Sequence, residues 1–113
     1  MSAVPPLQRL PERPSRVSML GVGAVVELLT LAQRTPERAF DVSEGGVGVL
    51  SQDPIPAGSL VLAVIALPGE RRPFDVIVRV AWVEGNAMGL EFLLPEDDLL
   101  EAIRRLRREL AAA

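Results

Sequence analysis

Residues 74–94, FDVIVRVAWVEGNAMGLEFLL, decide how this chain folds. Phe74, Val76, Val78, Val80 and Trp82 alternate with Asp75, Ile77, Arg79 and Ala81. A period of two places the first set on one face of an extended chain and the second on the other, which predicts a half-buried strand. Trp82 falls with the core set, at a strand end where its ring could also border a base, and Arg79 falls on the solvated face. Gly85 and Asn86 supply a tight hairpin turn, and Met88 to Leu94 returns as the neighbouring strand.

Upstream, Leu60 to Leu67 is almost unbroken apolar and reads as another strand, preceded by a loop at Pro54, Pro56 and Gly58. Glu37 to Ser43 and Val47 to Ser51 read as short strands flanking a Gly45–Gly46 turn. Val22 to Ala32 suits a long strand, with helix left open by Leu28, Leu29 and Leu31, and Thr35 and Pro36 are expected to end it. Downstream, Leu99, Ile103, Leu106 and Leu110 form one apolar stripe at helical spacing, which predicts an amphipathic helix over about 95–110. Glu96, Asp97, Asp98 and Glu101 crowd its start and Arg104, Arg105, Arg107 and Arg108 its end, the order that the helix dipole favours. Five or six short strands followed by one helix predict a mainly β fold, a small antiparallel barrel with an appended helix, over residues 17–113. Residues 1–16 carry Pro5, Pro6, Pro11 and Pro14 with Arg9, Arg13 and Arg16 against a single Glu12, and read as an extended, flexible, basic arm.

Composition narrows the chemistry. The chain has 113 residues, one domain's length, and its 49% hydrophobic content supports a core. Histidine, cysteine, tyrosine and lysine are absent, which removes imidazole bases, thiol nucleophiles, His or Cys metal sites and Schiff bases, so no enzyme and no metal centre is expected. All 12 cationic side chains are arginine, whose planar forks suit phosphate and guanine. A net charge of −3 argues against general nucleic-acid binding, while a small anionic ligand needs only a local basic patch. No apolar run is long enough for a membrane span and no signal peptide is apparent, so a cytoplasmic location without membrane attachment is expected.

The stretch DVSEGG, Asp41 to Gly46, gathers a carboxylate, a hydroxyl and a flexible backbone. A guanine edge presents N1–H and N2–H₂ as paired donors, which one carboxylate can accept together, with a Ser hydroxyl beside it. Asp41 and Ser43, two residues apart on a strand end, project to the same face, and Gly46 allows close approach without a Cβ. The same residue types also build an ordinary turn. Pairs of arginines four apart occur at Arg9/Arg13, Arg34/Arg38 and Arg104/Arg108. The last pair lies one helical turn apart and reads as a solvated face.

The arginine-bearing arm, the DVSEGG turn, the strand pair ending in AWVEGNAMGLEF and the closing helix together resemble the PilZ domain family over roughly residues 9–110. The resemblance implies a six-stranded antiparallel β-barrel with a C-terminal helix that binds the bacterial second messenger cyclic di-GMP through an RxxxR arm and a [D/N]xSxxG turn. It assigns ligand contacts to Arg9 and Arg13, with Arg16 assisting, and to Asp41, Ser43 and Gly46. The second arginine of the motif lies close to the first strand, a position that Arg16 fits better than Arg13 does, which would set Glu12 at the first. No cofactor beyond that ligand is implied, and an effector protein would carry the output, in motility or biofilm control. A second reading is an adaptor that binds no nucleotide and works through protein contacts. Its support is the apolar outer faces of Val22–Ala32 and Leu60–Leu67, which a partner or a second copy in a homodimer would cover.

Overall fold

The alternation in residues 74–94 is realised as a hairpin in the computed structural model, which describes residues 17–18, 25–29 and 34–112. The strands are β1 (Val17–Ser18), β2 (Val25–Leu29), β3 (Arg34–Ser43), β4 (Gly46–Leu50), β5 (Leu60–Ala66), β6 (Phe74–Glu84) and β7 (Ala87–Leu93), followed by α1 (Asp97–Ala112). Every pairing is antiparallel, in the order β3, β2, β5, β6, β7, β4, and β4 returns to pair with β3. The six longer strands therefore close into a barrel, which leaves no long edge to recruit another sheet. The two-residue β1 adds to β3 alongside the barrel, with Val17 opposite Val42 and Ser18 opposite Asp41.

Inward-facing positions fill the barrel with apolar side chains, nearly all branched aliphatics: Val26 and Leu28, Val47 and Val49, Val61 and Ile65, Val76, Val78 and Val80, and Leu90, with the unbranched Met88 among them. Leu99, Ala102, Ile103 and Leu106 of α1 join the same core, with Leu110 packed against it. The stripe expected for the helix is thus its buried face. Asp97 and Asp98 occupy its first turn, but α1 runs on to Ala112 and its last turn holds no base. The four arginines end a turn short of the end of α1 and pair with acids instead: Arg105 with Glu70, Arg108 with Glu101, Arg107 with Glu44, and Arg104 with both Glu101 and Glu44.

The described part of the 22–32 segment is a strand, β2. Thr35 and Pro36 do not end a strand; they lie inside β3, which begins at Arg34. Pro36 pairs with Glu27 of β2, while pairing of β3 with β4 starts only at Arg38, so Pro36 lies where β3 has an open side, the setting in which a strand tolerates proline. The hairpin of the DVSEGG segment turns at Glu44 and Gly45 rather than at Gly45 and Gly46, with Ser43 paired to Gly46. No helix among the described residues is long and apolar enough to cross a membrane.

Two irregularities re-aim side chains. Register shifts between Ala39 and Asp41 on β3, and between Val80 and Trp82 on β6, each insert one residue into the ladder. Beyond Ala81 the alternation is therefore inverted: Trp82 pairs with Gly89, on the outer face, whereas Val80 pairs with the inward Leu90. The expectation that Trp82 shares the face of Val76, Val78 and Val80 fails at this bulge.

Candidate functional site

Asp41 and Ser43 flank the core residue Val42 near the end of β3, so both belong to the outer face of the barrel. The Asp41 carboxylate, half-buried, accepts a hydrogen bond from the Gly48 N–H at 3.1 Å. Ser43 is 0% exposed, and its hydroxyl oxygen accepts from the Gly45 N–H at 3.2 Å, bracing the turn. Gly46 opens β4 in a buried position, where a Cβ would stand 2.1 Å from the Leu90 carbonyl oxygen. Close approach of β4 to β7 thus requires glycine there, independently of any ligand.

Strand register extends the motif across the barrel. Asp41 pairs with Gly48, Gly48 with Gly89, and Gly89 with Trp82, so one outer row crosses β3, β4, β7 and β6. The two middle members lack side chains, and neighbouring groups fill the space. A Cβ on Gly48 would meet Phe40 Cζ at 2.5 Å and Asp41 Oδ1 at 2.7 Å; one on Gly89 would meet Trp82 Nε1 at 1.8 Å. Phe40 and Trp82 therefore lie over a glycine floor beside the motif carboxylate. Trp82 is only 6% exposed, and its buried Nε1 donor finds no acceptor among the described residues. An unmade bond on a buried donor costs about 1–3 kcal/mol.

The turn itself is clasped to the helix. Arg104 Nε donates to Glu44 Oε2 at 3.0 Å, Arg107 donates to Glu44 Oε1, and the Gly45 carbonyl accepts from the Phe92 N–H at 3.0 Å. Burial works to raise the Glu44 carboxyl, but the bonds from Arg107 and Arg104 outweigh it and hold it below the ordinary carboxylate range. Arg104, read from sequence as a solvated residue, thus stands at the motif turn. Arg79, also read as solvated, is bound through Nε and Nη2 to Glu91 Oε1 at 3.0 and 2.6 Å. Arg9, Arg13 and Arg16 lie outside the described residues. Phe40, Gly48, Gly89 and the Glu44 clasp are the members that sequence reasoning missed; the two glycines at alternate positions in GVGVL and AMGLEF were the available signal.

A cleft of about 940 Å³ lies elsewhere, between the β5–β6 loop and the start of α1. Arg71, Arg72 and Arg105 face Glu70, Asp75, Glu96 and Asp98 around it, so its charges largely cancel, and no motif residue lines it.

Comparison with known proteins places this architecture. Residues 8–109 match the sequence profile of the PilZ domain. No curated protein matches the sequence. Among solved structures, the Bacillus subtilis inhibitor of motility MotI/DgrA is similar with a TM-score of 0.69 at 18% identity, over 85% of this chain and 50% of that one. The chain therefore spans half the length of that protein. An uncharacterized Legionella protein, Lpg0364, is similar at a TM-score of 0.57 and 19% identity, over 85% of this chain and 97% of that one. The PilZ domain of CeSA from a cellulose-synthesizing bacterium is similar at 0.58 and 14% identity, over 85% and 97%. These likenesses show the shared fold, and the profile match over nearly the whole length shows the family: the chain belongs to the PilZ domain family.

Proposed function

We propose that this PilZ domain is a receptor for cyclic di-GMP, held on the outer face of the barrel along the row from Asp41 to Trp82. The observation that carries the reading is that row: a carboxylate at one end, two glycines between and an indole at the other end. In this reading Asp41 accepts N1–H and N2–H₂ of one guanine, Ser43 donates its hydroxyl proton, and the Trp82 ring borders the ligand at the far end of the row. The pairing of β1 with β3 supports a role for the arm, because Val17, which directly follows Arg16, is opposite Val42 between the two motif side chains.

Arg9 and Arg13, with Arg16 assisting, close over the ligand. Arginine pairs bidentately with phosphate oxygens and with guanine O6 and N7, so lysine is not expected to replace it. Ligand binding orders the arm, and the ordered arm presents the signal to an effector protein in the cytoplasm.

Calorimetry with cyclic di-GMP tests the site. Micromolar binding corresponds to about −8 kcal/mol, and loss of one charge-assisted contact at about 1.5–3 kcal/mol weakens it some ten- to hundred-fold. Asp41→Ala and Arg13→Ala should each show that loss. Wild-type affinity in both variants, or no heat with the unaltered protein, overturns the assignment.

A further inference from the structure

A second outer face of the barrel, on the far side of Arg79 from Trp82, carries apolar side chains. Leu29 pairs with Leu62, Leu62 with Ile77, and Ile77 with Leu93, so one aliphatic row crosses β2, β5, β6 and β7. Ile77 is 46% exposed, and Leu60, in the next row, is 65% exposed. Leu29, Leu62 and Leu93 are half-buried, and grouped apolar side chains on an outer face are the raw material of an interface.

The rows on either side identify the occupant. On β6 the outward residues run Asp75, Ile77, Arg79; on β5 they run Leu60, Leu62, Val64, in register with Arg79, Ile77 and Asp75 in turn. Turned by a two-fold axis lying along the Leu62 and Ile77 row, this face is its own complement. Ile77 meets Ile77, Leu62 meets Leu62, Leu60 meets Val64, and Asp75 meets Arg79 twice. Asp75 makes no ion pair among the described residues, and Arg79 engages Glu91 only through Nε and Nη2, leaving its Nη1 donors for a second carboxylate.

We propose that this face binds a second copy of the chain, as a two-fold dimer with β6 packed antiparallel on β6 of its partner. A C2 interface requires one patch complementary to itself, and opposite charges equidistant from a central apolar residue meet that requirement. The proposal is independent of the nucleotide site and is tested without nucleotide.

Sedimentation or light scattering across a concentration series should give the unaltered chain twice its 12.2 kDa mass. Ile77→Asp should be monomeric with unchanged circular dichroism. Asp75→Arg sets Arg against Arg, and Arg79→Asp sets Asp against Asp, so each variant alone should be monomeric. Mixed, they make both ion pairs again and should form a one-to-one heterodimer. A monomeric unaltered chain, a dimer that survives Ile77→Asp, or a failure of the two charge variants to combine would overturn the proposal.

Discussion

The Trp82 indole occupies the space that a Gly89 side chain would take, with Nε1 1.8 Å from the site of the missing Cβ. Gly89→Ala must therefore expel the ring. Overpacking of this kind costs about 1–3 kcal/mol. Trp82 is the sole tryptophan, so its emission reports the event directly: a red shift in the variant and a lower urea midpoint are expected. Unchanged emission would show that the indole does not rest there.

Gly46 faces backbone rather than a side chain, since the obstacle is the Leu90 carbonyl. Gly46→Ala is expected to cost about 3 kcal/mol because a main-chain oxygen cannot swing aside. Gly58 provides the contrast: its φ of +93° is strained for alanine, but nothing stands within 4 Å, so Gly58→Ala should cost about 1–2 kcal/mol. Chemical denaturation ranks the two, and equal losses would contradict the packing explanation.

Glu44 gives the fold an acid-sensitive component. Its folded-state carboxyl lies below the ordinary value of 4.5, so its contribution is present above that value and is lost as pH falls through the folded one. Glu44→Gln should cost no more than about 1 kcal/mol at neutral pH, because the pairs with Arg104 and Arg107 are partly exposed. The variant should also flatten the acid limb of stability. An acid limb as steep as that of the unaltered chain would place the sensitivity elsewhere.

Glu37 behaves in the opposite sense. Burial raises its carboxyl above 4.5, the Ser51 hydroxyl donating at 2.8 Å offsets part of that, and Asp53 adds to the rise. The protonated form is favoured in the fold, so this contribution is present at low pH and is lost as pH climbs through the raised value. Glu37→Gln keeps an acceptor for Ser51 and removes the buried charge. A higher denaturation midpoint at neutral pH, converging on that of the unaltered chain in acid, is expected; a lower midpoint at neutral pH would show that the charge is stabilising.

Leu94 joins β7 to α1 at φ +50°, a left-handed conformation unfavourable for leucine, and it is 97% exposed. Leu94→Gly relieves the strain with almost no packing to lose, and should raise stability by about 1 kcal/mol. A thermal melt that moves downward would contradict this.

The barrel was legible where side chains obey a simple period. Alternation from Phe74 to Val80, the Gly85–Asn86 turn and the Leu99, Ile103, Leu106 stripe all have direct counterparts in β6, the β6–β7 hairpin and α1. Trp82 was misplaced because the bulge after Val80 has no compositional mark: Ala81 fits an ordinary strand as well as an inserted residue. Pro36 misled in the same way, since a proline on an open edge and a proline ending a strand look alike in sequence. Asp41 and Ser43 were legible as a pair, but their connection to Gly89 and Trp82 depends on which strands become neighbours, and register across β4 and β7 is a property of closure.

β3 and β4 form the seam at which the barrel shuts, and DVSEGG is the tip of that seam. Ser43 braces the tip and Gly46 permits it to lie against Leu90, so folding alone preserves both letters. Those two letters therefore report architecture, whatever the domain binds.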